Sequence, residues 1–164
     1  QSMRFNGVND YMSFTNRPIP SPWNEGSLST WVKFNGNNWG GGGDWIFNGY
    51  TGPTDYIGLG LHTTVNGSNQ YIRFGFYINS TWMFATSNVI PVINQWYYIV
   101  GTWGSNGLQI YVNGILSGTY PYSGASPFCD GFVLGSVTNQ SIVGDISSLG
   151  VWNVALDSLQ IHVR

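Results

Sequence analysis

Charge is what this sequence has least of. Five Lys and Arg and seven Asp and Glu make up 7% of 164 residues, against roughly a quarter in an average domain. The basic residues Arg4, Arg17, Lys33, Arg73 and Arg164 form no run, and the net charge is −2. A nucleic-acid partner needs clustered cations to displace phosphate counterions, so that class is excluded. Glutamate occurs once, at Glu25, and the aspartates are scattered. Glycoside hydrolysis generally places two carboxyl groups across the scissile bond, and no strand here carries such a pair. The single cysteine, Cys129, rules out an internal disulfide and reads as a small buried hydrophobe. Neither His62 nor His162 stands in metal-ligand spacing, and no Ser-His-Asp arrangement is readable. No apolar stretch approaches the ~18–20 residues of a membrane span. Gly40 to Gly43 lack the Lys-Ser/Thr ending of a phosphate loop and read as a flexible loop tip. The chain opens at Gln1 without an N-terminal targeting pattern and is read as one domain, 1–164, of a longer protein.

What is present is aromatic and amide-rich. Eight Trp, ten Tyr and nine Phe accompany 23 Gly. Period-2 alternation recurs along the chain. Leu28, Thr30, Val32 and Phe34 share one face of a strand, and Ser29, Trp31 and Lys33 share the other. Leu108, Ile110 and Val112 alternate with Gln109 and Tyr111. Tyr71 to Ile78 and Thr81 to Thr86 read as a hairpin turned at Asn79-Ser80. Alternation of this kind makes half-buried antiparallel strands. Asn6-Gly7, Asn66-Gly67, Asn106-Gly107, Asn113-Gly114 and Asp130-Gly131 supply the positive φ angles of tight turns. The expected fold is all-β, a sandwich of two antiparallel sheets. Helix is almost absent, with one candidate turn over Asp157 to Val163 capped by Asp157.

Five segments, in order, carry a family resemblance over Met3 to Ile161. They are Phe5-Asn6-Gly7-Val8-Asn9-Asp10-Tyr11, Leu28 to Lys33, Trp96 to Thr102, Leu108 to Gly114, and Phe132-Val133-Leu134-Gly135. A closing segment runs from Gly144 to Leu156. Together they resemble the laminin-G-like (concanavalin A-like) jelly-roll domains. The resemblance implies a jelly roll whose terminal segments pair and bring the two ends together. It also implies a binding domain, often for sugars. In such sandwiches an acidic residue after Gly-x-Ile helps hold a structural calcium. Here Ser147 occupies that position and Asn6 replaces the usual Asp. Asp10 and Asp145 remain as calcium candidates. The other reading is that Asp10 serves its turn and Asp145 faces solvent. Gln160-Ile161-His162 matches a short motif of jelly-roll alginate lyases but lacks its partner motifs, and is read as chance.

Sugar rings present apolar C–H faces that stack on indole and phenol, while their hydroxyls pair with neutral amides and carboxylates. Trp31, Trp96, Trp103 and Trp152 lie in strand patterns and are assigned to the core. Trp39, Asp44, Trp45, Tyr50, Asp55, Tyr56 and Trp82 sit beside Gly, Asn or turn signals, and are the candidate ligand-binding residues. The glycine tract would let backbone approach the ligand. The expected function is non-catalytic carbohydrate recognition or adhesion, with a neutral glycan as partner. The setting would be extracellular or on a cell or virion surface. The alternative is a structural or host-attachment domain of a virion, phage fibre or secreted protein. That domain would contact protein, including other domains of the parent chain, without a sugar site. An atypical glycosidase comes third. No cofactor is expected beyond the calcium candidate, and neither nucleic acid nor membrane insertion.

Overall fold

The computed structural model describes residues 1–19, 21–36, 44–50, 57–66, 69–135 and 141–162. Among the described residues, twelve strands and one short helix alternate with tight turns. They are β1 (Met3–Asn6), β2 (Tyr11–Phe14), β3 (Gly26–Phe34), β4 (Trp45–Tyr50), β5 (Ile57–Asn66), β6 (Asn69–Ile78), β7 (Thr81–Thr86), β8 (Trp96–Gly104), β9 (Gly107–Val112), β10 (Ile115–Tyr120), β11 (Gly131–Gly135), β12 (Val143–Trp152) and α1 (Ser158–His162). Sheet A has the order β1-β12-β3-β8-β9-β10, and sheet B the order β2-β11-β4-β5-β6-β7. Every neighbouring pair of these strands is antiparallel.

The turn residues act as their chemistry requires. Asn113 (φ 52) and Gly114 (φ 82) close the β9–β10 hairpin, and Asn79 (φ 50) and Ser80 (φ 62) close β6–β7. Two successive positive φ angles match the twist of the flanking strands. The hairpin register then pairs Tyr77 with Trp82 and Gly75 with Phe84.

The inward face of β3 is Leu28, Val32 and Phe34, as the alternation predicts. It meets Phe47, Leu61, Ile72, Phe74, Phe76, Phe132 and Leu134 of sheet B. Fully burying each such side chain contributes about 1.5–3 kcal/mol relative to exposure. Trp103, near the end of β8, is fully buried in this core. Cys129 is buried in the same core, as expected, and burial pushes its thiol up to about 12.

Of the four tryptophans assigned to the core, only Trp103 occupies it. Trp31, Trp96 and Trp152 are half-buried, and Trp31 and Trp152 pack outside the sandwich core. The reason is a second apolar layer on the outward face of sheet A. There Tyr98, Val100, Tyr111, Leu156 and Ile161 are buried together, with Trp31 and Trp152 against them. Helix α1 covers this layer. It begins with a reciprocal cap: Gln160 N donates to Asp157 Oδ1 (2.8 Å), and Asp157 N donates to Gln160 Oε1 (3.0 Å).

β1 pairs with β12, Met3 opposite Ile146, so the terminal segments meet as expected. Gln1 and His162 do not come together. Ser147 Oγ donates to the carbonyl of Gln1, whereas a Cβ on Gly114 would meet His162 at the β9–β10 turn. Three to four strand spacings, roughly 15–20 Å, separate those places. The final segment crosses sheet A because the layer under it needs cover. No helix among the described residues is long and apolar enough to cross a membrane.

Candidate functional site

The outward face of sheet B carries an aromatic patch built by strands β4 to β7. Period-2 alternation puts Ile72, Phe74 and Phe76 inside, so Arg73 and Tyr77 point out. On β7, Ala85 is core and Met83 packs against it, so Trp82 and Phe84 point out. Trp45 and His62 join them across β4 and β5, as a cross-strand pair. Trp45 stacks on His62 (4.4 Å, 27°) and Trp82 stacks on Phe84 (4.8 Å, 13°). Trp45 and Trp82 are 5.9 Å apart, and Tyr77 lies 4.9 Å from Trp82. Two cross-strand glycines give the rings room to lie flat. A Cβ at Gly60 would collide with the Trp45 ring, and one at Gly75 with Phe84 and the Met83 carbonyl.

One arginine is embedded in this patch. Arg73 Nε donates to His62 Nε2 (3.0 Å), and its guanidinium lies 4.1 Å from the Phe84 centroid. His62 therefore accepts at Nε2 and is the neutral imidazole. Burial first, and then the charge on Arg73, push its pKa down to about 3. Trp45 and His62 are buried, while Arg73, Tyr77, Trp82 and Phe84 are half-exposed. The patch thus has a buried base and an accessible upper layer.

The sequence-predicted residues divide. Trp45 and Trp82 come together here. Trp45 is not a loop residue but the first residue of β4, 7% exposed. It supports the patch from below, because Gly60 leaves it space to fold over the sheet. Asp44 adjoins it and is also buried, its backbone tied to Thr63 in both directions. Tyr50 is half-buried at the far end of β4, about 17 Å along the strand. It does not share a site with Trp45. Trp39, Asp55 and Tyr56 lie outside the described residues. Sequence reasoning missed His62, Arg73, Tyr77 and Phe84. The Asn79-Ser80 hairpin register was the signal that could have found three of them, since it sets Arg73, Tyr77 and Phe84 on one face with Trp82.

Two groups at this end of sheet B give opposite pH dependences. Burial pushes Asp44 up to about 7, from an ordinary value near 3.9. The folded state then binds more protons than the unfolded one between about pH 4 and 7. This contribution makes stability fall as pH rises through that window. His62, depressed to about 3 from about 6.5, does the reverse. The unfolded state binds its proton first, so stability rises from about pH 3 to 6.5. Between about pH 4 and 6.5 the two oppose each other. Asp44→Asn is expected to leave only the His62 slope: its thermal midpoint should climb from pH 4 to 6.5 and exceed the parent's at pH 8. Midpoints parallel to the parent's across pH 4–8 would contradict this.

Asp145 lies on the outward face of sheet A and is buried. Arg4 Nε reaches its Oδ1 (3.0 Å), and Lys33 Nζ (2.8 Å) and Asn35 Nδ2 (2.9 Å) reach its Oδ2. Burial alone would raise its pKa. Hydrogen bonds from Arg4, Asn35 and Lys33, with the Lys33 charge, hold it well below the usual carboxylate range. Asp10 Oδ2 accepts from Asn6 N (3.0 Å), a turn role. Arg4, Asn6, Asp10, Lys33 and Asn35 line one cleft of about 660 Å3. These residues do not fit a calcium ion. Ca²⁺ takes six to eight oxygens, and both oxygens of Asp145 already meet donors, two of them cationic. No three His, Cys, Asp or Glu residues among the described ones gather as ligands. Nor does Asp145 face solvent; it ties β1, β12 and β3 together.

The described carboxyl groups form no catalytic pair at the patch. Burial alone accounts for the raised Asp44. A second hollow of about 360 Å3 lies on sheet A between Trp31, Trp96, Tyr98 and the end of α1. His162 is at its rim, in the helix, so the Gln160-Ile161-His162 match is not on a central strand.

The chain belongs to the concanavalin A-like lectin/glucanases superfamily (Laminin_G_3), whose profile matches residues 6–162. A native heptameric SAP-like pentraxin from Limulus polyphemus superposes with a TM-score of 0.70 at 17% identity, covering 98% of this chain and 79% of that one. Domain 4 of AbnA, a GH43 extracellular arabinanase from Geobacillus stearothermophilus solved with arabinotriose, gives 0.71 at 18%, covering 99% and 75%. A sialidase from Trypanosoma rangeli gives 0.68 at 19%, covering 97% and 26%. At these identities the likeness is one of fold, and the fold serves binding proteins and glycosidases alike. No curated protein matches the chain in sequence.

Proposed function

We propose that this chain is a non-catalytic, extracellular carbohydrate-recognition module. Its glycan lies on the outward face of sheet B. The observation that carries the reading is the parallel Trp82–Phe84 stack, half-exposed and backed by buried Trp45 and His62. A rigid, partly dry aromatic shelf matches the apolar face of a pyranose or furanose ring. Tyr77 and Arg73 supply polar groups at its margin. The absence of a carboxylate pair among the described residues favours binding over hydrolysis. The structure with arabinotriose concerns a different protein of the same fold, and gives oligosaccharides as reasonable first probes.

The test is a glycan array followed by calorimetry. Trp82→Ala is expected to weaken the best glycan roughly 30-fold, the scale of truncating a central aromatic anchor. Its melting temperature should stay near the parent's. Trp45→Ala should instead lower the melting temperature, because the ring is buried. Binding left intact in Trp82→Ala, or no glycan bound at all, would overturn the reading. Protein contact is the second reading. Ile115 (71%), Leu116 (45%) and Leu159 (77%) are exposed on the edge strand β10 and on α1, where a neighbouring domain of a parent chain would cover them.

A further inference from the structure

We propose that the glycan this face selects is acidic, a sugar carrying a carboxylate, and that Arg73 is the residue that reads the charge. The inference rests on the carbohydrate reading of the face and names the class of its ligand.

Arg73 forms no salt bridge among the described residues. The ion pairs there are Arg4–Asp145, Arg17–Asp130 and Lys33–Asp145. Each of those three cations has a carboxylate; Arg73, set among rings, has none. A half-buried guanidinium is ordinarily paired. Burial here lowers its pKa, with no acidic group acting against that. The cation is held ready rather than loose. Arg73 Nε donates a hydrogen bond to His62 Nε2, and the guanidinium lies over the Phe84 ring. His62 can play that part because its own buried position keeps it neutral. With Nε engaged, the two Nη groups remain as a planar fork. That end-on fork matches the two oxygens of a carboxylate. The guanidinium covers one face of Phe84 and Trp82 the other, so a sugar packed across the exposed edges of these two rings can carry its carboxylate to Arg73. Trp82 and Phe84 exclude water from one side, which strengthens the charge-assisted bonds. A neutral sugar would leave the cation half-buried and unmatched. Uronic and ulosonic acids share the required chemistry.

The experiment compares oligogalacturonate with its methyl ester, which share a backbone and differ in the carboxylate. A sialylated and a desialylated lactose pair forms the second arm and separates the ulosonic from the uronic source. The free acid of at least one pair is expected to bind about 10- to 100-fold more tightly than its neutral partner, the range of charge-assisted hydrogen bonds. The preference should shrink as salt is raised. Arg73→Gln should abolish the preference, so that acid and neutral forms bind alike. Arg73→Lys, which keeps the charge without the fork, should retain only part of it. Melting temperatures establish that both variants are folded; if Arg73→Gln is not, Arg73→Lys and the salt series decide. Equal binding of acid and neutral forms, or a preference unchanged in both variants, overturns the proposal. If neutral glycans bind and Trp82→Ala abolishes that binding without any acid preference, the carbohydrate reading stands and the acidic one falls. If no glycan binds, both fall.

Discussion

Trp103→Ala is expected to destabilise the domain by about 3–5 kcal/mol, as large-to-small aromatic truncations in cores do. Single domains have only about 5–15 kcal/mol in all, so this one change should bring the fold near its limit. The expected size follows from what the indole touches. It stacks on Phe74 (6.2 Å, 26°) and Trp23 (6.5 Å, 15°), and meets the edge of Phe76 at 5.5 Å. Its Nε1–H donates to the Trp23 carbonyl (3.1 Å). Gly26 leaves the ring the space a Cβ would fill. Neither sheet can close into that volume without breaking its ladder, so a cavity should persist. Urea unfolding checks this: the midpoint should fall sharply at an unchanged slope. Trp103→Phe should fall less, keeping much of the packing and losing the hydrogen bond. A loss below about 1 kcal/mol for Trp103→Ala would mean that the core repacks around the gap.

Deleting residues 1–12 should be comparably damaging. The segment supplies β1 to sheet A and half of β2 to sheet B. Removing it uncovers β12 and β11 as new edges. It also takes Phe5 from the core and Arg4 from Asp145. Loss of a buried Phe alone is worth about 3–5 kcal/mol, or on the order of 10 °C in a domain of this size. The truncated protein is expected to melt at least that much lower and to aggregate through its bare strand edges. An unchanged thermal midpoint would show that β1 and β2 are ornaments on a smaller fold.

Most of the fold was legible in local chemistry. The Asn-Gly and Asn-Ser pairs place the β9–β10 and β6–β7 hairpins because few residues accept positive φ. Asp157 marks the helix because its side chain and Gln160 satisfy each other's backbone. What alternation could not decide was which side of a strand is interior. In β3 both Val32 and Trp31 alternate correctly; one faces sheet B and the other faces α1. A sheet covered on its outer face by a distant segment carries aromatics on both sides, and periodicity cannot rank them. The candidate site was half legible for a related reason. Trp82 follows a turn and was found. Tyr50 looked adjacent to Trp45 in sequence, but an extended strand carries neighbours apart at about 3.3 Å per residue. His62 gives no local signal, since its partnership with Arg73 spans two strands and depends on burial.

The order of strands has a consequence for how the chain is made. Sheet A places β12 between β1 and β3, and sheet B places β11 between β2 and β4. During synthesis the early strands therefore have to wait for residues about 80 to 140 positions later before either sheet is complete. The β6–β7 and β9–β10 hairpins can form at once, but β1, β2, β3 and β4 each lack a lateral partner until the last quarter of the chain has emerged. Contacts of such long separation close slowly. In that interval β3 and β4 present open backbone to any neighbouring chain. Yield on expression should therefore depend on how soon β11 and β12 follow and on holdase chaperones, more than on the stability of the finished sandwich.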